Sequence, residues 1–277
     1  MISFEGRTMR FILILVAVVL ALIALAWTGL QFKPAPFAAF TQNATKLETV
    51  PLPSSLPAPV ERFYRKIYGD KIPVITSAVI TGRATLRIAG IRFPARFRFI
   101  HVAGRDYRHY LEATVFGVPI FKVNERYVEG ISKAEMPGGT QAGPRTNQAA
   151  NLGLWSEAIW FPAIFLTDPR VKWKAVNDVT AILIVPFEKT LEHYIVRFDP
   201  ESGLVRYFES MRYQSETSAK KILWLNETLE YRTVGGYSVG AVGSVTWMDV
   251  GTPWAVFTVE RIVLNADVNE YIRARGQ

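Results

Sequence analysis

The hydrophobic pattern begins with an uncharged apolar run at residues 11–30. As a helix, these twenty residues would span about 30 Å at about 1.5 Å per residue, which matches the hydrocarbon thickness of a bilayer. Arg7 and Arg10 precede the run, whereas the next basic residue is Lys33. The pattern predicts a single transmembrane helix, with residues 1–10 in the cytoplasm and the bulk of the chain outside the cell membrane.

A cleaved signal peptide is the alternative interpretation of the same run. Ala24-Leu25-Ala26 offers the small residues of a cleavage site, which would leave an apolar core at residues 11–23 and export the rest of the chain. However, the apolar run continues past this site to residue 30, which favours retention as a membrane anchor.

Prolines interrupt the pattern in the next segment, residues 31–58, where they are mixed with small and polar residues. Pro-rich linkers are semi-extended spacers of limited reach. We therefore expect a tether between the membrane helix and an extracytoplasmic β-rich domain at residues 59–277.

Beyond the tether, the apolar spacing changes from helical to alternating. A short amphipathic helix over residues 59–68 is predicted by the i, i+3, i+4, i+7 spacing of Val60, Phe63, Tyr64 and Ile67. From residue 72 the period is two, which predicts strands at residues 74–81, 83–89, 95–102, 107–116 and 118–128.

A second long apolar segment, residues 147–166, is apolar on nearly every face and predicts a buried helix. Thr146 or Asn147 is expected to cap its start, and Pro162 should kink or divide it. Alternating runs then predict strands at residues 171–175, 179–187, 191–198, 204–214, 223–233, 237–248 and 254–264. The short loops between them indicate antiparallel pairing, because parallel strands need long crossovers.

These elements predict a mainly β protein of the α+β class. We expect a strongly curved antiparallel sheet, or half-barrel, wrapped around the buried apolar helix and preceded by one transmembrane helix. With 49% hydrophobic residues, the chain can build a sizeable core. It has no cysteine, which excludes disulfides, thiolate metal sites and a lipidated cysteine as the anchor.

A net charge of +8 gives the chain a preference for anionic partners. In the first sheet segment, strand alternation places Phe97 and Phe99 toward a core or cavity and neighbouring arginines on the opposite side. We interpret these arginines as a surface that binds anionic lipid head groups; the alternative is an ordinary solvated face. The arginines concerned are Arg83, Arg87, Arg92, Arg96 and Arg98. Nucleic acid is not an expected partner outside the cell.

One acidic residue stands out in the predicted buried helix. Glu157 is the only acid between Glu135 and Asp168, and a buried carboxylate needs a partner or a raised pKa. A structural ion pair with an arginine such as Arg206 is the favoured interpretation, and a general acid or ligand-binding role is the alternative. The full set of candidates for an apolar ligand cavity is Phe97, Phe99, Trp155, Glu157, Trp160, Trp173 and Arg206.

Known catalytic and cofactor motifs are absent from the sequence. There is no GxSxG elbow, no Walker A loop and no GxGxxG that opens a helix. His101, His109 and His193 show no metal-ligand spacing, although a hairpin near Gly104 would make the first two neighbours. We therefore expect no catalytic residue, no metal ligand and no cofactor.

The segment LWSEAIWFPAIFLTDPRVKWKAVNDVTAIL resembles a motif of an uncharacterised bacterial family of unknown function. The matching residues are Trp155, Glu157, Pro162, Trp173 and Asp178. LPAPVERFYRKIYG resembles the opening helix of that family, and the resemblance extends over residues 56–268. It implies no particular activity. Such sequences also look like the curved-sheet lipoprotein carriers of bacterial envelopes, which cup a lipid or acyl chain around a helix.

Together these features favour a membrane-tethered, non-enzymatic module that binds an apolar or lipidic ligand outside the cytoplasm. A structural or interaction protein that docks another envelope component is the first alternative. A hydrolase or lyase that uses Glu157 with a nearby histidine or arginine is the second.

Overall fold

The structure, a computed structural model, describes residues 3–40 and 47–276. Within these residues the helices are α1 Ser3–Gly29, α2 Ala58–Tyr68, α3 Pro144–Glu157 and α4 Ile164–Thr167, with a 3-10 turn at Ala158–Trp160. The first eight strands are β1 Thr49–Pro51, β2 Lys71–Pro73, β3 Ser77–Ile88, β4 Ile91–Val102, β5 Asp106–Val115, β6 Val118–Val128, β7 Ile131–Met136 and β8 Gly139–Gln141. The others are β9 Lys172–Asn177, β10 Thr180–Phe187, β11 Thr190–Phe198, β12 Val205–Arg212, β13 Ile222–Val234, β14 Tyr237–Trp247 and β15 Pro253–Leu264.

The apolar run near the start of the chain forms the helix α1, as predicted. Its segment Arg7–Gly29 has a mean hydropathy of 3.0, and an 18-residue apolar stretch within it is 0% buried against the rest of the protein. Its length and composition suit either a membrane anchor or a signal sequence.

Thirteen strands form one antiparallel sheet in the order β8-β7-β6-β5-β4-β3-β15-β14-β13-β12-β11-β10-β9. The first strand series runs outward from β3 and the second runs outward from β15. The pairing of β3 with β15 therefore joins the two series in the middle of the sheet.

The sheet curves around α3, because α3 contacts β6 and β7 of one half and β10 and β12 of the other. In a flat sheet, the seven steps from β6 to β12 would separate those strands by about 34 Å, whereas a helix is only about 10–12 Å wide. A mainly β fold with a large curved antiparallel sheet is thus confirmed.

Gly82 corrects one predicted boundary. The sequence pattern placed a break there, yet β3 continues through it. A Cβ atom at Gly82 would lie 2.0 Å from the carbonyl oxygen of Thr258 on β15. The glycine therefore permits a close approach of two backbones inside the sheet and does not form a turn.

The buried helix is divided near Pro162, as predicted, but it begins earlier than expected. Pro144 occupies the first turn of α3, where a missing N–H costs nothing. Asn147 does not cap the helix; its Oδ1 accepts a hydrogen bond from the backbone N–H of Ser132 at 2.8 Å.

Residues 31–40, which we call the strap, lie against the outer face of β4 and β5 instead of forming a free spacer. The Phe37 side chain is buried there, with its ring centroid 5.5 Å from that of Tyr110. Arg96 covers the Phe37 ring at 4.5 Å and donates a hydrogen bond to the carbonyl of Ala35 at 3.0 Å. Further along, β1 pairs with β2, so this part of the proline-rich segment is also held to the domain.

Candidate functional site

The inner face of the sheet carries polar side chains where β4, β5 and β6 pair. In this register Phe99 lies opposite His109, and His101 lies opposite Tyr107. His109 in turn lies opposite Glu125 on β6. Since directly paired residues share a face of the sheet, the alternation that turns Phe99 inward also turns these polar groups inward.

Glu157, the last residue of α3, supplies a carboxylate to this group. Its Oε2 is hydrogen-bonded to Nε2 of His109 at 2.7 Å and lies 3.2 Å from Nε2 of His101. Nδ1 of His109 lies 3.6 Å from Oε2 of Glu125. His109 therefore bridges two carboxylates, and we call His101, His109, Glu125 and Glu157 the inner polar cluster.

Aromatic stacking fixes the orientation of His109. The ring centroids of Phe99 and Tyr107 each lie 3.9 Å from that of His109, and the Tyr107 ring is nearly parallel to it at 9°. The Tyr107 hydroxyl also donates a hydrogen bond to Glu125. The two edges of the imidazole are thus directed at Glu157 and Glu125.

The charges of the cluster stabilise one another. Burial alone would lower the pKa of His109, but the carboxylates of Glu157 and Glu125 outweigh it and raise that pKa to about 9. Burial alone would raise the pKa of Glu157, but His109 and His101 lower it to about 2. At neutral pH this pair consists of a carboxylate and an imidazolium.

His101 is the member of the cluster that lacks a complete set of partners. Its side chain is 0% exposed, and neither ring nitrogen has a hydrogen-bond partner among the residues that the structure describes. Its Nε2 lies 3.2 Å from Oε2 of Glu157, which makes an ion pair only when His101 is protonated. Burial lowers the pKa of His101, against the opposing effect of Glu157.

The cluster forms one wall of a partly open cavity of about 230 Å³. Most of the lining is apolar, and it comes from both halves of the sheet and from α3. Among the apolar lining residues are Leu86, Phe99, Leu111, Trp160, Phe208, Trp224, Val245, Trp254 and Phe257. His109, Glu125 and Glu157 line the polar wall, whereas His101 lies behind them.

Arg212 brings a further positive charge to the cavity lining. Its guanidinium carbon lies 4.3 Å from the ring centroid of Trp224 and 5.4 Å from that of Trp247. Its Nε donates a hydrogen bond to the carbonyl of Ala149 in α3 at 2.9 Å. Arg212 therefore links the helix to the second half of the sheet at the cavity.

The residues that the sequence proposed for the cavity do not all lie there. Phe99, Glu157 and Trp160 line it. Phe97 lies behind this wall, with its ring centroid 4.7 Å from that of Phe99. Trp155 is buried in the core beside Phe165, and Trp173 packs on Phe165 and Phe198 away from the cavity.

The predicted ion pair between Glu157 and Arg206 is not formed. Arg206 donates a hydrogen bond to Oε1 of Glu227 at 2.6 Å, on the neighbouring strand β13. Glu157 is paired with histidines instead, because the hairpin of β4 and β5 brings them to the end of α3.

The five predicted surface arginines share the outer face of the sheet, but only some of them face solvent. Arg96 pairs with Glu112 at 2.8 Å, and both Arg96 and Arg98 donate hydrogen bonds to strap carbonyls. Arg83 pairs with Glu260, Arg87 donates to the carbonyl of Pro253, and Arg92 is exposed. The strap thus covers part of the basic surface.

Several cavity residues were missed by the sequence analysis. Glu125 lies two residues from both Val123 and Tyr127 on β6 and so shares a face with them, which means that a period-two analysis of that strand would have placed it on the inner face. Arg212 and Phe257 gave no comparable signal, because they meet the cluster only through the pairing of strands far apart in sequence.

The inner polar cluster has the chemistry of a cation site. One ligand atom from each of His101, His109 and Glu157 lies within 4.8 Å of the others. The sequence had predicted no metal ligand, because its histidines show no i, i+4 spacing and it has no cysteine. The fold brings these residues together from two strands and a helix.

The fold and the cavity define a curved-sheet protein with an N-terminal apolar helix and an internal, mainly apolar cavity. The chain belongs to the family of unknown function DUF6544, whose sequence profile matches residues 46–259. The resemblance to an uncharacterised family is thereby confirmed. No curated protein is significantly similar to the chain.

Solved structures that resemble this chain include three bacterial proteins. A LolA superfamily protein from Nitrosomonas europaea is 10% identical, with a TM-score of 0.47 over 80% of this chain and 99% of that one. A DUF1329 family protein from Desulfovibrio piger is 9% identical, with a TM-score of 0.43 over 72% and 90%. A putative outer membrane lipoprotein-sorting protein domain from Vibrio parahaemolyticus is 10% identical, with a TM-score of 0.40 over 70% and 87%.

Proposed function

We propose that this protein is a membrane-anchored, extracytoplasmic binding module whose cavity holds a small apolar or amphipathic molecule. The cavity itself carries the proposal, with its volume of about 230 Å³ and its mainly apolar lining. An apolar cavity of about 150 Å³ admits benzene, and pockets for drug-sized ligands begin near 300 Å³. The volume therefore supports a ring or part of one acyl chain as the occupant, and is too small for a whole lipid.

The distribution of polarity supports an orientation for such a ligand. Its apolar body would contact Trp160, Trp254 and Phe257, which belong to the apolar part of the lining. Its polar end would face Glu157 and His109, which line the same cavity. An apolar body in contact with rings and a head that bonds to charged groups is the usual arrangement for amphipathic ligands.

The position of the domain relative to α1 supports a ligand from the membrane. The carbonyl of Gly29, at the end of α1, accepts a hydrogen bond from the backbone N–H of Phe116 at 2.8 Å. If α1 stays in the bilayer, this contact and the strap keep the β domain at the membrane surface. A lipid-derived molecule would then be available at the surface where the domain is held.

The alternative that Glu157 is a general acid receives less support. A general acid works best with a pKa near the operating pH, and the pKa of Glu157 is lowered to about 2. The carboxyl group therefore carries no proton to donate at neutral pH.

The test compares two matched valine substitutions in the full chain, purified from its native membrane. Val245→Phe fills a cavity-lining position, whereas Val176→Phe adds the same ring at an exposed position of β9. Organic extraction and mass spectrometry of the bound molecules should find an apolar compound in the unaltered chain and in Val176→Phe, and much less of it in Val245→Phe. Equal amounts of every extracted compound in all three proteins would contradict the proposal.

A further inference from the structure

Three potential ligand atoms converge at the polar wall of the cavity. Oε2 of Glu157 lies 2.7 Å from Nε2 of His109 and 3.2 Å from Nε2 of His101. In a tetrahedral site with bonds of about 2.1 Å, the ligand atoms are about 3.4 Å apart. These two separations need only a small expansion to reach that value, and all three ligand atoms lie within 4.8 Å of one another.

His101 provides an independent reason to expect a bound group. Both of its ring nitrogens are fully buried, and neither has a hydrogen-bond partner in the described part of the chain. A polar group that is buried without a partner destabilises the fold, so native proteins rarely leave one unexplained. An ion coordinated by Nε2 would satisfy the nitrogen that faces Glu157.

The surroundings of His109 are also those of a metal ligand. Metal-binding histidines usually offer their second ring nitrogen to a carboxylate or carbonyl, which fixes the ring and raises its basicity. Here Nδ1 of His109 lies 3.6 Å from Glu125, and Tyr107 donates a hydrogen bond to the same carboxylate.

Protonation of His109, without a bound metal ion, explains only part of the arrangement of His101, His109 and Glu157. An imidazolium at His109 would compensate the charge of Glu157, and Arg212 adds positive charge nearby. Neither group provides a partner for His101. A cation held by all three residues would compensate Glu157 and also give Nε2 of His101 a partner.

We propose that His101, His109 and Glu157 bind a divalent transition-metal ion such as Zn²⁺ or Fe²⁺. Two imidazoles and one carboxylate suit these ions, whereas Mg²⁺ and Ca²⁺ prefer sites made of oxygen ligands. Glu157 and His109 line the cavity and His101 lies behind them, so the remaining coordination position faces the cavity. The proposal does not depend on the apolar ligand.

The test uses the full, tag-free chain after removal of metals by a chelator. Zn²⁺ binding is followed by calorimetry, and Co²⁺ binding by its visible absorption. His101→Gln and His109→Gln remove proposed ligands, and His193→Gln is the matched control because His193 is exposed on β11, outside the cluster. We expect one ion per chain in the unaltered protein and in His193→Gln, and loss of that binding in the two ligand variants.

Glu125→Gln should weaken binding by about 10- to 100-fold, as expected for a residue that orients a ligand. Excess Mg²⁺ should not displace the ion. Zn²⁺ should also raise the thermal unfolding midpoint of the unaltered chain but not that of His101→Gln, which separates loss of a ligand from a general loss of stability.

Stoichiometric binding that survives in both ligand variants, or no binding to the unaltered chain, would overturn the proposal. Val245→Phe should still bind the metal while it loses the apolar molecule. The two proposals can therefore fail separately.

Discussion

Glu157 and His109 keep each other charged in a mainly apolar environment. Their side chains are 18% and 8% exposed, so little water screens the pair. Removing one partner from a buried pair leaves an uncompensated charge and typically costs about 3–5 kcal/mol. Here Glu125 would still face His109, which places the expected cost near the lower end of that range.

We therefore expect Glu157→Gln to lower the free energy of unfolding of the metal-free protein by about 3 kcal/mol. Denaturant unfolding in a chelator measures this change. Glu129→Gln is the matched control, because the Glu129 side chain is 73% exposed and its pairing with Arg273 contributes little. Equal unfolding midpoints for the two variants would contradict a stabilising role for the Glu157–His109 pair.

The same pair predicts a pH dependence for the metal-free protein. The pKa of His109 rises on folding from 6.5 to about 9, so its stabilising contribution is complete below pH 6.5 and is lost as the pH rises through 9. The pKa of Glu157 falls from 4.5 to about 2, so its contribution is complete above pH 4.5 and is lost as the pH falls through 2. Thermal midpoints should fall between pH 6.5 and pH 10, and His109→Gln should lose this dependence. A parallel fall in that variant would assign the dependence to other groups.

Sequence analysis could single out Glu157 but could not find its partners. An isolated acid in an apolar helix is visible in the sequence because buried carboxylates need compensation. Its actual partners come from β4 and β5, and their position depends on the register of a hairpin and on where α3 ends. Arg206 was the wrong choice because it donates a hydrogen bond to Glu227 on β13, in the other half of the sheet.

Among the secondary-structure elements, the strap has the clearest consequence for dynamics. Phe37 is its main apolar contact with the sheet, and Arg96 and Arg98 lie over the same ring. Burial of a phenylalanine side chain contributes about 1.5–3 kcal/mol. This is enough to keep the strap docked, although the core on the inner face does not depend on it.

Phe37→Ala should therefore release the strap without unfolding the domain. We expect limited proteolysis with a non-specific protease to cut residues 31–40 about tenfold faster or more, while the domain still unfolds in one cooperative transition at a moderately lower thermal midpoint. Phe32→Ala, at a position that is 52% exposed, is the control and should change the cutting rate much less. Equal cutting rates in the two variants would show that Phe37 does not hold the strap.

Most strands were predictable because alternation is a strong local signal. The buried helix and its division at Pro162 were predictable for the same reason, since they depend on neighbouring residues. The strap was not, because a proline-rich composition indicates an extended chain and gives no information about what that chain contacts. The strand boundary predicted at Gly82 was wrong because glycine is required both at turns and where two backbones approach closely.

At the scale of the whole molecule, the two strand series form one sheet because β3 pairs with β15 in its middle. A separate apolar helix, α1, lies near the start of the chain. Residues 77–88 and 253–264 pair although they are far apart in the sequence, and no local sequence pattern predicts this pairing. The cavity depends on it, since Leu86 and Phe257 come from these two strands. The fold class was therefore predictable, whereas the composition of the cavity was not.

Retention of α1 is a separate prediction for the intact protein. We expect the chain isolated from membranes to have the intact mass of a polypeptide that still contains residues 11–30. Cleavage after Ala26 would remove most of the apolar helix and leave the domain in the soluble fraction. Mass spectrometry of the membrane and soluble fractions distinguishes the two outcomes directly.

The most direct test of the binding proposal is an experimental structure of the protein purified from its native membrane without refolding. We expect continuous density for an apolar body between Trp160 and Trp254, with its polar end toward Glu157 and His109. A cavity that contains only ordered water, or one closed by its own side chains, would contradict it.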